Sequence, residues 1–243
     1  GHAMKILFTK EKDDKGDISQ FSALMLSLGA TVGIGNIVGV ATAIALGGPG
    51  AIFWMWITGI VGMATKYSEG ILAVKYREEG SNGYKGGAMY YITKGLGMPK
   101  LGMAFAIFTI IASFGTGNMT QANAVSGVLL DQANIPTWIT GIVLVVLTGA
   151  VILGGIKSMG KFTSYFSPVM VLLYIITAFF IIITNFDRVP GAFGLIFDHA
   201  FAPFAAAGGF AGAAVAAAIR MGVSRGLFSN EAGLGSSAIV AAA

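Results

Sequence analysis

Two stretches of the sequence are long, apolar and free of charge, and they limit the folds that the chain can adopt. Residues 139–153 and 169–184 contain no Asp, Glu, Lys or Arg, and their flanks extend them to the length of about 20 residues that crosses a bilayer. Charged residues make up only 11% of the chain, against about 25% in ordinary soluble domains. A soluble bundle could not cover its surface with so few charges. The sequence therefore predicts an integral membrane protein built from α-helices.

Glycine and proline divide the chain into six apolar segments, which we interpret as transmembrane helices. The segments are residues 18–46, 51–74, 101–130, 137–153, 162–184 and 204–221. Short helices are expected in two of the polar loops, at about residues 88–94 and 192–199.

The basic residues indicate how these segments are oriented. If the chain starts inside and the segments alternate, thirteen of the fifteen Lys and Arg residues fall on the cytoplasmic side, only Arg188 falls outside, and Lys66 lies within the second segment. Such a bias is typical of cytoplasmic loops. We therefore expect a multi-pass plasma-membrane protein with a cytoplasmic amino terminus. The net charge of +4 reports this topology and gives no reason to expect a nucleic-acid partner.

Neither catalysis nor an organic cofactor is indicated. The chain has no cysteine, and no paired carboxylates or Ser/His/Asp constellation lie within the segments. Gly1-His2-Ala3 before Met4 is typical of a tag remnant. We expect residues 1–17 to be tag and cytoplasmic segment, and residues 18–243 to be one transmembrane core.

Glycines at positions 29, 33, 35 and 39 crowd the middle of the first segment, together with Asn36. Each glycine weakens a helix by about 1 kcal/mol relative to alanine. One interpretation is close packing of helices through small residues. The other is a helix broken at membrane depth, whose freed amides bind an anionic group and whose freed carbonyls bind a cation. A polar side chain such as Asn36 slightly favours the second interpretation.

The sixth segment partly repeats this pattern in AGGFAG, which includes Gly209 and Phe210. Two glycine-interrupted segments separated by one five-helix repeat are typical of inverted-repeat transporters. The alternative is again a small-residue packing helix, which the following alanine run would suit.

Polar residues also lie in the third segment. Asn118, Gln121 and Asn123 are costly to expose to lipid, so they should face a bundle interior or an aqueous cavity. On a continuous helix, Phe114 and Gln121 share a face with Asn118. Structural hydrogen bonds between helices would explain these amides nearly as well as ligand contact. Lys66 and Glu69, three residues apart in the second segment, are expected to form an internal ion pair or a snorkelling pair, which we favour over a role in transport.

Several blocks of the sequence resemble the alanine/glycine:cation symporters. They are TVGIGNIVGVATAIA (31–45), GGPGAIFWMW (47–56), GMATKYSEGILAVKYR (62–77), GGFAG (208–212) and RGLFSNEAGLG (225–235). The resemblance extends over nearly the whole chain. It implies Na⁺-coupled import of small amino acids, chiefly alanine and glycine, by a protein with the inverted five-helix repeat of the leucine-transporter type.

The resemblance also suggests which residues would bind these ligands. The amides of Ile34 and Gly35 would hold the substrate carboxylate, and carbonyls near the break would hold Na⁺. The predicted substrate contacts are Thr31, Gly33, Ile34, Gly35, Asn36, Phe114, Gln121, Gly209 and Phe210. The predicted Na⁺ ligands are Gly29, Thr31, Val32 and Asn36.

The predicted fold is an all-α membrane protein of about six transmembrane helices, an amino-terminal five-helix repeat followed by the first helix of the second repeat. The resemblance implies a Na⁺ site shared between the first and eighth core helices of the leucine-transporter fold, and we expect the eighth to lie outside this sequence. The predicted function of the full-length protein is sodium-coupled symport of alanine and glycine. Two alternatives stay open. One is a structural fragment that does not transport and associates with itself, and the other is a passive, channel-like bundle.

Overall fold

A computed structural model describes residues 16–80, 83–201 and 211–242 of the chain. Its α-helices, in chain order, are α1 (Gln20–Thr31), α2 (Val40–Gly47), α3 (Gly50–Lys75), α4 (Ala88–Gly95), α5 (Pro99–Ala112), α6 (Met119–Ala133), α7 (Thr137–Ile152), α8 (Gly155–Thr184), α9 (Val189–Phe201), α10 (Ala211–Asn230) and α11 (Ser236–Ala241). Shorter turns are π-helical at Gly35–Gly39 and Ser113–Gly117 and 3-10 helical at Phe186–Arg188. The predicted helical character is confirmed, as are short helices in both polar loops.

One element was not predicted. Strands β1 (Glu78–Gly80) and β2 (Gly83–Lys85) form an antiparallel hairpin in the loop after α3, with Glu79 opposite Tyr84. The backbone N–H of Tyr84 donates to Oδ2 of Asp17 at 2.6 Å, which ties the hairpin to the segment before α1. Three-residue strands are too short to give a recognisable alternating pattern, so the sequence indicated only a loop.

By length and composition, two helical stretches of the described residues are able to cross a membrane. They are Pro99–Ala133, which runs through a π-helical turn, and Gly155–Thr184. Gln20–Thr31 and Gly35–Gly47 qualify only together, as one span bent by 47° at a short break. Thr137–Ile152 is apolar but shorter. The chain thus has the helices of a membrane protein, and the number of six spans stays a prediction.

The described residues form two compact units. The first comprises those of Gly1–Ala30, Glu69–Pro168 and Gly235–Ala243, and the second comprises those of Thr31–Ser68 and Val169–Leu234. Within the first unit, α4 packs against α5 and α6 packs against α7. Within the second unit, α10 packs against α2 and α9.

Small residues fill the interior, while large apolar residues point outward. The buried alanines are Ala43, Ala51, Ala73, Ala88, Ala200, Ala218, Ala232, Ala238 and Ala242. In contrast, Ile176 and Phe180 of α8 are 62% and 67% exposed. Helices in lipid gain nothing by hiding large apolar side chains, and small residues let their backbones approach closely. This distribution suits a protein whose outer surface contacts acyl chains.

Candidate functional site

The first predicted span is broken where its glycines are densest. The α-helix ends at Thr31. Val32 and Gly33 are not helical, and a π-helical turn follows at Gly35–Gly39. The predicted break is therefore confirmed. π-Helical turns inside α-helices occur frequently at functional sites, because they change which backbone groups are paired.

Asn36 holds the break through two reciprocal contacts with Gly33. The backbone N–H of Gly33 donates to Oδ1 of Asn36 at 3.0 Å, and the N–H of Asn36 donates to the carbonyl of Gly33 at 3.1 Å. The side chain thus replaces the carbonyl that a continuous helix would have offered to Gly33. An amide oxygen has two lone pairs, so Oδ1 retains one acceptor position for a ligand.

Glycine packing, the other interpretation of this segment, also holds. A Cβ on Gly35 would lie 3.1 Å from Cα of Ser229 and 3.2 Å from the ring of Phe228, both in α10. A Cβ on Gly29 would lie 2.8 Å from Oγ of Ser167 in α8. Gly29 and Gly35 thus allow close packing within their respective units, whereas the break lies between them. The two interpretations apply to different glycines.

The spacing of Lys66 and Glu69 predicted an ion pair between them, but each side chain contacts other residues. Nζ of Lys66 donates to Oγ1 of Thr31 at 3.2 Å, at the end of α1. The Glu69 carboxylate accepts bonds from the N–H of Gly235 at 3.3 Å and from Oγ of Ser237 at 3.0 Å. The predicted Lys66–Glu69 ion pair is therefore wrong, and the snorkelling pair stays a prediction. Spacing along one helix cannot reveal that two other segments supply better-placed partners.

Glu69 is a functional candidate that the sequence analysis interpreted mainly as a partner of Lys66. It is 7% exposed, and its carboxylate lies where the chain enters α11. Burial of Tyr91 in α4, together with the negative charge of Glu69, raises the pKa of the Tyr91 phenol. An acidic residue inside a predicted span is by default a functional hypothesis, and that signal was present in the sequence.

Phe114 and Gln121 lie in the first unit, beside the second π-helical turn. Phe114 is within Ser113–Gly117 and 72% exposed, and Gln121 is half-buried in α6. Their predicted common face assumed a continuous α-helix, and the wider π-helical turn changes that register. Asn118 donates to the carbonyl of Ser113 at 3.1 Å, so its amide serves its own segment. Ligand contact by Phe114 and Gln121 stays a prediction.

Gly209 and Phe210 lie outside the described residues, so their predicted substrate contact stays a prediction. Among the described residues, no group of three or more His, Cys, Asp or Glu side chains could hold a metal ion. A cation bound at the break would depend on carbonyl, hydroxyl and amide oxygens, which are ligands that hard cations prefer.

Comparison with known proteins gives a consistent result. An uncharacterized transporter of Haemophilus influenzae is 51% identical over 99% of this chain and 53% of its own length. The sodium/alanine symporter AgcS of Methanococcus maripaludis is 53% identical over the full chain and 54% of its own length. The probable sodium/glutamine symporter GlnT of Bacillus subtilis is 44% identical over 94% of the chain and 47% of its own length.

The chain therefore spans about half the length of the curated relatives that it matches. These relatives are named as transporters, which leaves the enzyme class without support. The match to the family itself extends over residues 1–243. This chain belongs to the sodium:alanine symporter family.

Proposed function

We propose that the whole protein is a sodium-coupled symporter of small neutral amino acids, with alanine and glycine as its substrates. The observation that carries the proposal is the interruption of the first span at Val32 and Gly33. A broken helix in a low-dielectric layer offers main-chain dipoles to a zwitterion and an ion. The relative named as a sodium/alanine symporter supports the choice of substrate and ion.

At the break, substrate and ion would bind on opposite sides of the same turn. The N–H groups of Ile34 and Gly35 begin the second half of the helix, where the positive end of its dipole favours a carboxylate. The carbonyl of Val32 and the free lone pair of Asn36 Oδ1 are suited to Na⁺. Gly33 has no side chain, so both the substrate and the ion would be able to approach the backbone there. Because the bound ion offsets the charge of the carboxylate, each ligand would strengthen the binding of the other.

Thr31 is the weakest of the proposed Na⁺ ligands. Its hydroxyl already accepts a bond from the Lys66 ammonium group, and two cations on one hydroxyl repel each other. We therefore assign Thr31 to the substrate side of the break. The remaining proposed contacts, which rest on sequence alone, are Gly29, Phe114, Gln121, Gly209 and Phe210.

The wider architecture belongs to the same proposal. Residues 18–243 would form six spans, the five helices of one repeat and the first helix of an inverted second repeat, with the amino terminus in the cytoplasm. In that arrangement the two repeats would move against each other around the site and expose it alternately to each side.

Uptake into vesicles tests the proposal. The whole protein, reconstituted into liposomes, should accumulate labelled alanine when an inward Na⁺ gradient is imposed, and excess glycine should compete. Asn36→Ala removes the acceptor of the Gly33 N–H, so we expect uptake to fall by about tenfold or more, the effect of one lost, partly buried hydrogen bond. Asn185→Ala, a matched change in a predicted outer loop, should leave uptake unchanged.

Two results would contradict symport. Equal uptake after replacement of Na⁺ by choline would remove the coupling. Uptake that rises linearly with alanine and does not saturate would instead indicate a passive pore. Glutamine belongs in the competition series as well, because one relative is named as a sodium/glutamine symporter.

A further inference from the structure

An open cavity of about 310 Å³ lies in the first unit, beside the start of α1 and the first turns of α8. Hydroxyls and ammonium groups provide most of its polar lining, namely Ser19, Ser22, Lys157, Lys161, Ser164 and Tyr165. None of these residues belongs to the break in the first span. The cavity therefore needs an explanation of its own.

Three serine hydroxyls form a chain of hydrogen bonds along one side of this cavity. The Ser164 hydroxyl donates to the carbonyl of Gly160 at 2.6 Å, and Oγ of Ser22 lies 2.9 Å from both Oγ of Ser19 and Oγ of Ser164. A hydroxyl has two acceptor positions and one proton. Since the proton of Ser164 is used at Gly160, Ser22 accepts from Ser19 and donates to Ser164. The Ser22 hydroxyl thus joins the start of α1 to α8.

Two lysines add positive charge beside this hydroxyl. Lys157 and Lys161 are exposed and lie four residues apart on α8, so they share a face. Within the described part of the chain, neither forms an ion pair. Asp17 also lines the cavity, but its carboxylate accepts the Tyr84 N–H at 2.6 Å. The lining therefore carries a net charge of about +1, which matches the single negative charge of a phosphodiester.

The position of the cavity along α8 indicates which kind of molecule would supply such an anion. Lys157 and Lys161 are the last charges before residues 162–184, which carry none and form the most apolar part of a candidate span. Tyr165 follows one turn later, and tyrosine is enriched at the level of lipid headgroups. Lysines near a helix end extend towards that level. In the orientation that we propose from the basic residues, on which this inference rests, this end of α8 faces the cytoplasm.

We propose that this cavity binds the phosphodiester headgroup of an anionic phospholipid in the cytoplasmic leaflet. The ammonium groups of Lys157 and Lys161 offset the negative charge of the phosphodiester and donate hydrogen bonds to its oxygens. The acyl chains lie along the exposed apolar face of α8. A bound lipid connects the start of α1 with α8, next to their Ser22–Ser164 contact.

Lipid binding to the purified protein tests this site. Native mass spectrometry with titrated phosphatidylglycerol and phosphatidylcholine should show at least tenfold tighter binding of phosphatidylglycerol. Lys157→Gln with Lys161→Gln should weaken that binding about thirtyfold, since each lysine near an anionic surface contributes about fivefold. The matched control, Lys85→Gln with Lys100→Gln, removes the same charge from exposed lysines outside the cavity and should change binding less than twofold.

Other variants keep the test decisive. Lys157→Arg with Lys161→Arg should retain binding, and the single variants Lys157→Gln and Lys161→Gln should each weaken it about fivefold if the double glutamine variant fails to fold. Equal losses in the cavity and control variants, or no preference for phosphatidylglycerol, would overturn the proposal. Displacement of the lipid by inorganic phosphate at the same concentration would overturn it too, because the site would then belong to a soluble anion.

Discussion

A buried carboxylate in a largely apolar helix needs donors that compensate its charge, and Glu69 finds them 166 and 168 residues along the chain. The N–H of Gly235 and the hydroxyl of Ser237 lie at the start of α11, so the charge fixes the entry to that helix. Hydrogen bonds to a charged group are worth about 1.5 to 3 kcal/mol each. Glu69 is thus a structural link between α3 and the last described helix of the first unit.

Removal of this carboxylate should destabilise the protein. In Glu69→Ala the Gly235 N–H and the Ser237 hydroxyl lose their acceptor, and each unsatisfied buried group costs about 1 to 3 kcal/mol. We expect a clear drop in the thermal unfolding midpoint in detergent. Glu69→Gln, which keeps one acceptor oxygen, should lose less. Glu79→Ala, at an exposed carboxylate of β1, should leave the midpoint unchanged, and an equal drop there would contradict the assignment.

The sequence could predict which single residues matter better than it could predict their hydrogen-bond partners. Asn36 could be singled out because a polar side chain among glycines in an apolar segment has few reasons to be there. Its actual role, accepting the Gly33 N–H, needed coordinates. Glu69 was noticed but assigned to Lys66, the nearest opposite charge on the helix. Local spacing could not predict either partner, because both contacts depend on how the chain folds back.

Helices were easier to predict than single contacts. Apolar length and glycine or proline boundaries predicted α3, α7 and α8 to within a few residues at most ends. The β1–β2 hairpin was missed because its strands are three residues long. The π-helical turn at Ser113–Gly117 was missed because no sequence pattern separates it from an ordinary turn of helix.

Close approach of α10 to α3 in the second unit gives a prediction about helix packing. A Cβ on Gly222 would lie 2.5 Å from the carbonyl oxygen of Ala51 and 2.6 Å from Cβ of Trp54. Gly222→Ala must therefore push the helices apart, at a cost of about 1 to 3 kcal/mol. Thermal unfolding in detergent would measure the loss.

The matched control lies in α3 itself. A Cβ on Gly59 would meet no atom within 4 Å, so Gly59→Ala should be neutral or stabilise the helix by up to about 1 kcal/mol. Comparable destabilisation by both variants would mean that helix propensity, and not the approach of α10, decides the effect at Gly222.

For the whole molecule, composition and structure agree on the environment. The interior of the described chain is rich in alanine and glycine, and its large aliphatic and aromatic side chains face outward, as on α8. A soluble protein of this kind would aggregate through its exposed apolar surface. Composition alone predicted the membrane because charge is so scarce. The count of spans depends on the bent first pair and on residues 202–210, which lie outside the described part.

Labelling of single cysteines tests the orientation of the whole chain, and the sequence favours the experiment because it contains no cysteine of its own. The bias of basic residues predicts that Lys100→Cys and Lys157→Cys lie in the cytoplasm, whereas Asp131→Cys and Arg188→Cys lie outside. In intact cells an impermeant maleimide should therefore label only the outer pair, and permeabilisation should add the inner pair. All four residues are exposed, so access to the reagent does not differ for reasons of burial. Labelling of Lys157→Cys in intact cells would reverse the topology and also remove the cytoplasmic leaflet as the source of the proposed lipid.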